Sequence, residues 1–137
     1  MPPTYLFSDF QAACGQGDTV TVSNDAQDDA RDYFHLRNEL AIRDFIFNNG
    51  LENLEFIDTK PWRNNPDPNV TIMIDAYSFR SGLRYGYIAF FNNKKIGKWR
   101  IKSFKKNWDA PTTKQFIIRG SGFPRRIIDI TTGEENE

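Results

Sequence analysis

Apolar positions along this chain change period once, near Gly50. Between Asn24 and Asn49 they recur at helical spacing, and Tyr33, Leu36, Leu40 and Phe47 form the predicted inner face. Asn24 and Gln27 read as a capping box at the start, and Gly50 as the left-handed stop. Asp25, Asp28, Asp29 and Asp32 crowd the first turns, where the helix dipole favours acids. Phe34, Ile42, Phe45 and Ile46 fall on other faces, so this helix is covered on more than one side or touches a partner. Residues 1–23 are polar and carry Gly15 and Gly17. They read as an arm with, at most, a brief strand over Thr19-Val20-Thr21-Val22.

After Gly50 the period is two. Leu54–Asp58 reads as a strand, and Thr59–Pro68 as a loop with three prolines. Val70–Tyr77 alternates, with Val70, Ile72, Ile74 and Ala76 on one face and Thr71, Met73, Asp75 and Tyr77 on the other. Ser78–Leu83 is a predicted turn, Arg84–Phe91 a strand, Asn92-Asn93 the start of a hairpin and Ile96–Phe104 the returning strand. Phe116–Arg119 and Ile127–Ile130 are short strand candidates. The order predicts one α+β domain over residues 1–137: an arm (1–23), one main helix (24–49) and an antiparallel meander (54–119). A C-terminal extension (120–137) follows, and the helix packs on a four- to five-stranded antiparallel sheet.

Composition narrows the class. Aromatics make up 15% of 137 residues, enough for one core and too many for a disordered chain. No run approaches the roughly 18 apolar residues of a membrane span, and no leader pattern follows Met1. The single cysteine, Cys14, reads as a plain thiol, and the natural location is cytoplasmic.

Charge changes the picture more. The net charge of zero hides a strong asymmetry. Residues 1–59 hold eleven Asp and Glu against Arg31, Arg37 and Arg43. From Arg80 to Arg126 there are thirteen Lys and Arg and one acid, Asp109. Tyr85, Tyr87, Phe90, Phe91, Trp99, Phe104 and Trp108 interleave with these cations, a pattern that suits phosphate contact and base stacking. The bland alternative is an acidic half that neutralises its own basic half.

The strand around Lys98-Trp99-Arg100-Ile101-Lys102-Ser103-Phe104 is the most specific local feature. Strict alternation predicts Lys98, Arg100, Lys102 and Phe104 on one face, with Trp99 and Ile101 toward the core. Lys105, Lys106 and Trp108 extend that face, and Arg80 lies upstream. Arg80, Lys98, Arg100, Lys102, Phe104, Lys105 and Trp108 are therefore the candidate nucleic-acid contacts.

Arg80-Ser81-Gly82-Leu83-Arg84-Tyr85-Gly86-Tyr87, an apolar run, a turn, and Ile101-Lys102-Ser103-Phe104-Lys105-Lys106 followed by Pro111 form a longer pattern. Across Asp67–Lys114 this resembles the sheet of small bacterial toxin ribonucleases of the RelE/HigB type. The resemblance implies helices followed by an antiparallel meander and a metal-independent ribonuclease. It implies Arg84 as the phosphate-contacting arginine and Lys105 or Lys106 as the terminal cation, so Arg84 and Lys106 are the candidate catalytic pair. The chain departs from that pattern at Val70-Thr71-Ile72-Met73-Ile74, which has no basic residue.

Other chemistries find little support. His35 is the only histidine and reads as a surface or capping residue. No ligand cluster suggests a metal or cofactor, and the aspartates near Asn24 are explained by the dipole. Asp58-Thr59-Lys60 resembles the end of a metal-dependent nuclease motif but is followed by Pro61. Gly120-Ser121-Gly122 reads as a turn with Arg119, Arg125 and Arg126 nearby. The leading expectation is a binder of RNA or single-stranded nucleic acid, with metal-independent cleavage as its enzymatic form. Two readings stand beside it. One is a non-enzymatic immunity, antitoxin or phage-encoded inhibitor module that grips a charged protein partner. The other is a domain whose charges are internal.

Overall fold

Ser23, and not Asn24, opens the first long helix. Its side chain accepts a hydrogen bond from the Ala26 amide at 3.1 Å. A computed structural model describes residues 2–107 of the chain, and the fold is α+β. Its elements are α1 (Phe7–Cys14), β1 (Val20–Val22), α2 (Asn24–Phe34), α3 (Glu39–Phe47), β2 (Glu52–Pro61), β3 (Met73–Ser81), β4 (Arg84–Asn93) and β5 (Lys98–Lys106). Trp108, the strand candidates at 116–119 and 127–130, and the arginines of the C-terminal stretch lie outside the described residues.

The single helix expected over 24–49 is two helices. His35 takes a left-handed conformation (φ 61°), which ends α2 and lets the Leu36 amide donate to the Ala30 carbonyl at 3.2 Å. Asn38 then restarts the chain as α3, its side chain accepting from the Ala41 amide at 2.8 Å. This break rotates the buried face. Ala26, Ala30 and Phe34 of α2 and Ile42 and Ile46 of α3 are buried, whereas Leu40 and Phe47 are 57% and 47% exposed. At the end of α3, Asn49 takes the left-handed conformation (φ 66°) expected of Gly50. Gly50 is needed for space instead: a Cβ there would lie 2.6 Å from the Phe45 ring.

The expected arm is also structured. It supplies α1 and β1, and β1 pairs in parallel with β5, Val20 beside Trp99 and Val22 beside Ile101. The sheet is therefore mixed, in the order β1-β5-β4-β3-β2, and antiparallel from β5 through β2. Ahead of α1, the Thr4 and Tyr5 amides both donate to the carboxylate of Asp75, at 3.1 and 2.9 Å. Asp75 is fully buried.

The main core lies between the helices and one face of the sheet. Phe10, Phe34, Ile42 and Ile46 meet Tyr77, Phe79, Ile88, Phe90, Ile101 and Phe104 there. Phe10 stacks on Phe90 with ring centroids 3.9 Å apart. The opposite face holds Ile72, Ile74, Ala76, Ala89 and Phe91, with Val70 and Trp62 packed against them. The predicted alternation of Val70, Ile72, Ile74 and Ala76 thus holds, although the strand itself starts later, at Met73, and runs on to Ser81. Burial on both faces explains the unbroken apolar run Tyr87-Ile88-Ala89-Phe90-Phe91 of β4.

Candidate nucleic-acid interface

A β-bulge in β5 decides where its cations point. Ala89 pairs with Ser103, but the next residue, Phe90, pairs with Ile101, so Lys102 is the extra residue. Before the bulge, Trp99 and Ile101 face the helices; after it, Phe104 and Lys106 do. Phe104 is fully buried against Phe34 and Phe79, with ring centroids at 5.2 Å in each case. It is a core residue and offers no face to a base, contrary to the strict alternation. Ile101 is buried as expected, and half-buried Trp99 packs against the core. Lys98 and Arg100 lie on the other face of the sheet, where Arg100 pairs with Phe91, and Lys105 joins them opposite Tyr87. The basic stretch is therefore divided between two faces.

The helix-side group forms a corner. Arg84 is the first residue of β4 and Lys106 the last of β5. Because the two strands are antiparallel, these ends adjoin, and Lys106 pairs with Gly86. A Cβ on Gly86 would come within 2.2 Å of the Phe79 ring, so glycine is what lets that ring lie under the corner. The last turn of α2 reaches over from the other side. The Arg84 guanidinium carbon lies 5.8 Å, and Lys106 Nζ 5.3 Å, from the centroid of the Tyr33 ring. Arg84 Nη2 is 3.2 Å from His35 Nε2. Arginine can only donate, so Nε2 accepts, and His35 carries its proton on Nδ1. Burial pushes the Tyr33 phenol up, opposed by a hydrogen bond with the Tyr85 backbone and by Arg84.

Arg84 differs from the paired cations. Arg31 meets Asp28 and Asp32, Arg80 meets Glu52 at 3.8 Å, and Lys95 meets Asp67 at 2.6 Å. Among the described residues no carboxylate pairs with Arg84; its hydrogen bond goes to a neutral imidazole. The C-terminal end of α2, the negative end of its dipole, lies beside the corner and lets cations gather there. The structure thus brings Arg84 and Lys106, the pair the resemblance implied, to one corner. It adds Tyr33 and His35, which no sequence signal tied to them. His35 does cap α2, as one reading had it.

On the far face, Arg100 Nη1 donates to Thr21 Oγ1 at 3.1 Å, and Lys105 Nζ sits 5.3 Å from the Tyr87 ring centroid. Lys102, Ser103 and Lys105 line one side of a cleft of about 340 Å³, and Asp25, Asp28 and Asp29 line the other. Burial pushes the Asp29 carboxyl up, Lys105 opposes that, and Asp25, Asp28 and Asp32 add to it. Some of the acidic half therefore does face some of the basic half. Among the described residues, no cluster of three or more His, Cys, Asp and Glu groups is arranged to hold a metal ion. None of the described helices is long and apolar enough to cross a membrane. No family model, curated protein or solved structure matches this chain.

Proposed function

We propose that this protein binds single-stranded nucleic acid, RNA in particular, with the corner of Arg84, Lys106, Tyr33 and His35 as its principal phosphate contact. The observation that carries this is the Arg84 guanidinium, which bonds an uncharged acceptor while Lys106 stands over the same aromatic ring. A phosphate is a better partner for a guanidinium than an imidazole, because it accepts two parallel charge-assisted hydrogen bonds. Exposed Arg100 and Lys102, with half-buried Lys98, supply further phosphate contacts along β5.

The enzymatic form of this reading is metal-independent RNA cleavage of the toxin type. His35 Nε2 takes the proton of the 2′-hydroxyl, the 2′-oxygen attacks phosphorus, and the bond to the 5′-oxygen breaks; that oxygen takes a proton from water and leaves as a 5′-hydroxyl, and the other product is a 2′,3′-cyclic phosphate. Arg84 and Lys106 meet the charge that builds on the phosphoryl oxygens. A cytoplasmic location fits this reading, since a lone thiol stays reduced there.

The test is oligonucleotide binding across a salt series. Neutralising about four to six phosphates gives a log–log slope of roughly −3 to −4 on single strands. Arg84→Ala should weaken binding and flatten that slope by about 0.7. Cyclic-phosphate products that persist with a chelator support cleavage. Intact RNA removes the enzyme and leaves the binder, and flat salt dependence removes both.

The mixed-charge cleft favours one second reading, an immunity, antitoxin or inhibitor module that receives a charged segment of a protein partner. Its signature is partner binding that Asp28→Asn and Lys102→Gln weaken while oligonucleotides fail to compete.

A further inference from the structure

Three groups converge on the corner from three elements: Arg84 from the start of β4, Lys106 from the end of β5, and His35 from the cap of α2. Their setting restricts what they can hold. The corner lies where two strands end, beside the turn at Gly82-Leu83, and Leu83 is 96% exposed. It is on the helix side of the sheet, whereas Lys98 and Arg100 are on the opposite side. A strand of nucleic acid tracking those far-face cations does not also lay its backbone along the corner; it reaches the corner by going around the end of the sheet.

The charge count points the same way. Arg84 and Lys106 bring two cationic side chains to the corner. An internal phosphodiester carries one negative charge and two terminal oxygens. A phosphate monoester carries between about one and a half and two charges near neutral pH and has three terminal oxygens. The forked guanidinium takes two of those oxygens and an ammonium the third. The Tyr33 ring is already approached by both cations, within 5.8 Å or less of its centroid, so the corner meets phosphate without stacking a base.

From these relationships we infer that the corner recognises a terminal phosphate monoester of a nucleic-acid strand, whatever the base that carries it. This deepens the nucleic-acid reading proposed above and rests on it. On binding, the phosphate replaces His35 Nε2 as the acceptor for Arg84 Nη2, with Lys106 on the third oxygen.

The test uses the full chain and short RNAs of one sequence that end in a 5′-phosphate, a 3′-phosphate or hydroxyls only. The phosphorylated strand of one polarity should bind about tenfold more tightly than the hydroxyl strand, the scale of one charge-assisted hydrogen bond. Arg84→Gln and Lys106→Gln should each bring that ratio close to one, with melting temperature confirming that the variants fold. Equal binding of all three strands by the wild type overturns the inference and leaves nucleic-acid binding in place. Binding of no strand overturns the nucleic-acid reading, and the corner is then decided by inorganic phosphate. A phosphate-induced shift of the His35 ring resonances that Arg84→Gln abolishes upholds a phosphate site. No shift removes it.

Discussion

Arg84 and His35, 49 positions apart, are joined by a hydrogen bond of 3.2 Å between Nη2 and Nε2. Guanidinium has no lone pair to offer, so this bond selects the imidazole tautomer protonated on Nδ1. Nitrogen-detected NMR at neutral pH should find that tautomer in the wild type. Arg84→Ala should shift the ring toward the Nε2-protonated form. A ring already in that form in the wild type would mean that the two residues do not pair in solution.

Asp75 ties down the segment ahead of α1, because its buried carboxylate accepts from both the Thr4 and the Tyr5 amide. Asp75→Ala leaves two donors unsatisfied, each costing about 1–3 kcal/mol. The expected result is a lowered denaturation midpoint together with protease cleavage ahead of α1. A variant as stable as the wild type would show that solvent satisfies those amides.

The bulge at Lys102 is checked by a pair of substitutions. Phe104→Ala should cost about 3–5 kcal/mol, as expected for a fully buried aromatic ring. Lys102→Ala should change stability by less than about 0.5 kcal/mol. If Phe104→Ala were harmless, β5 would alternate strictly and Phe104 would be a surface residue.

Cys14 should be unreactive in the folded protein. Burial pushes its thiol up to about 12, with Arg43 opposing the shift. Against a free thiol near 8.5, that suppresses the thiolate by about a thousandfold or more. Thiol reagents at mildly alkaline pH should label it only as fast as the protein unfolds. Rapid labelling without loss of helical signal would contradict its burial.

Asp29 gives a pH dependence of defined sign. Its carboxyl is pushed up by burial, and Asp25, Asp28 and Asp32 reinforce this against Lys105. The folded chain therefore holds the Asp29 proton more tightly than the unfolded chain does. Between the ordinary aspartate value and the raised one, stability falls as pH rises. Asp29→Asn should remove that part of the slope, read from denaturation midpoints across the acidic range. An unchanged slope would assign it to other carboxyls.

Much of the sheet was legible in the chain itself. Alternation marked Ile72, Ile74 and Ala76 as one face, and the hairpin after Asn92-Asn93 joins β4 to β5 as its turn residues indicate. Such features depend on neighbours a few residues apart, and local sterics and turn chemistry settle them. The break between α2 and α3 has no glycine or proline to announce it. It exists because Phe34 and Ile42 must both face the sheet, and a left-handed His35 with an Asn38 cap turns the chain to let them.

A resemblance paired Arg84 with Lys106, but their meeting with Tyr33 and His35 was not legible in the chain. That meeting needs α2 to end over the junction of β4 and β5, and α2 is set there by packing between Phe34, Phe79 and Phe104. The bulge at Lys102 and the parallel pairing of β1 with β5 are likewise settled across the fold. Charge along the chain showed that cations cluster in sequence. Only the tertiary structure divided them between two faces, because one extra residue in a strand reverses which side every later side chain takes.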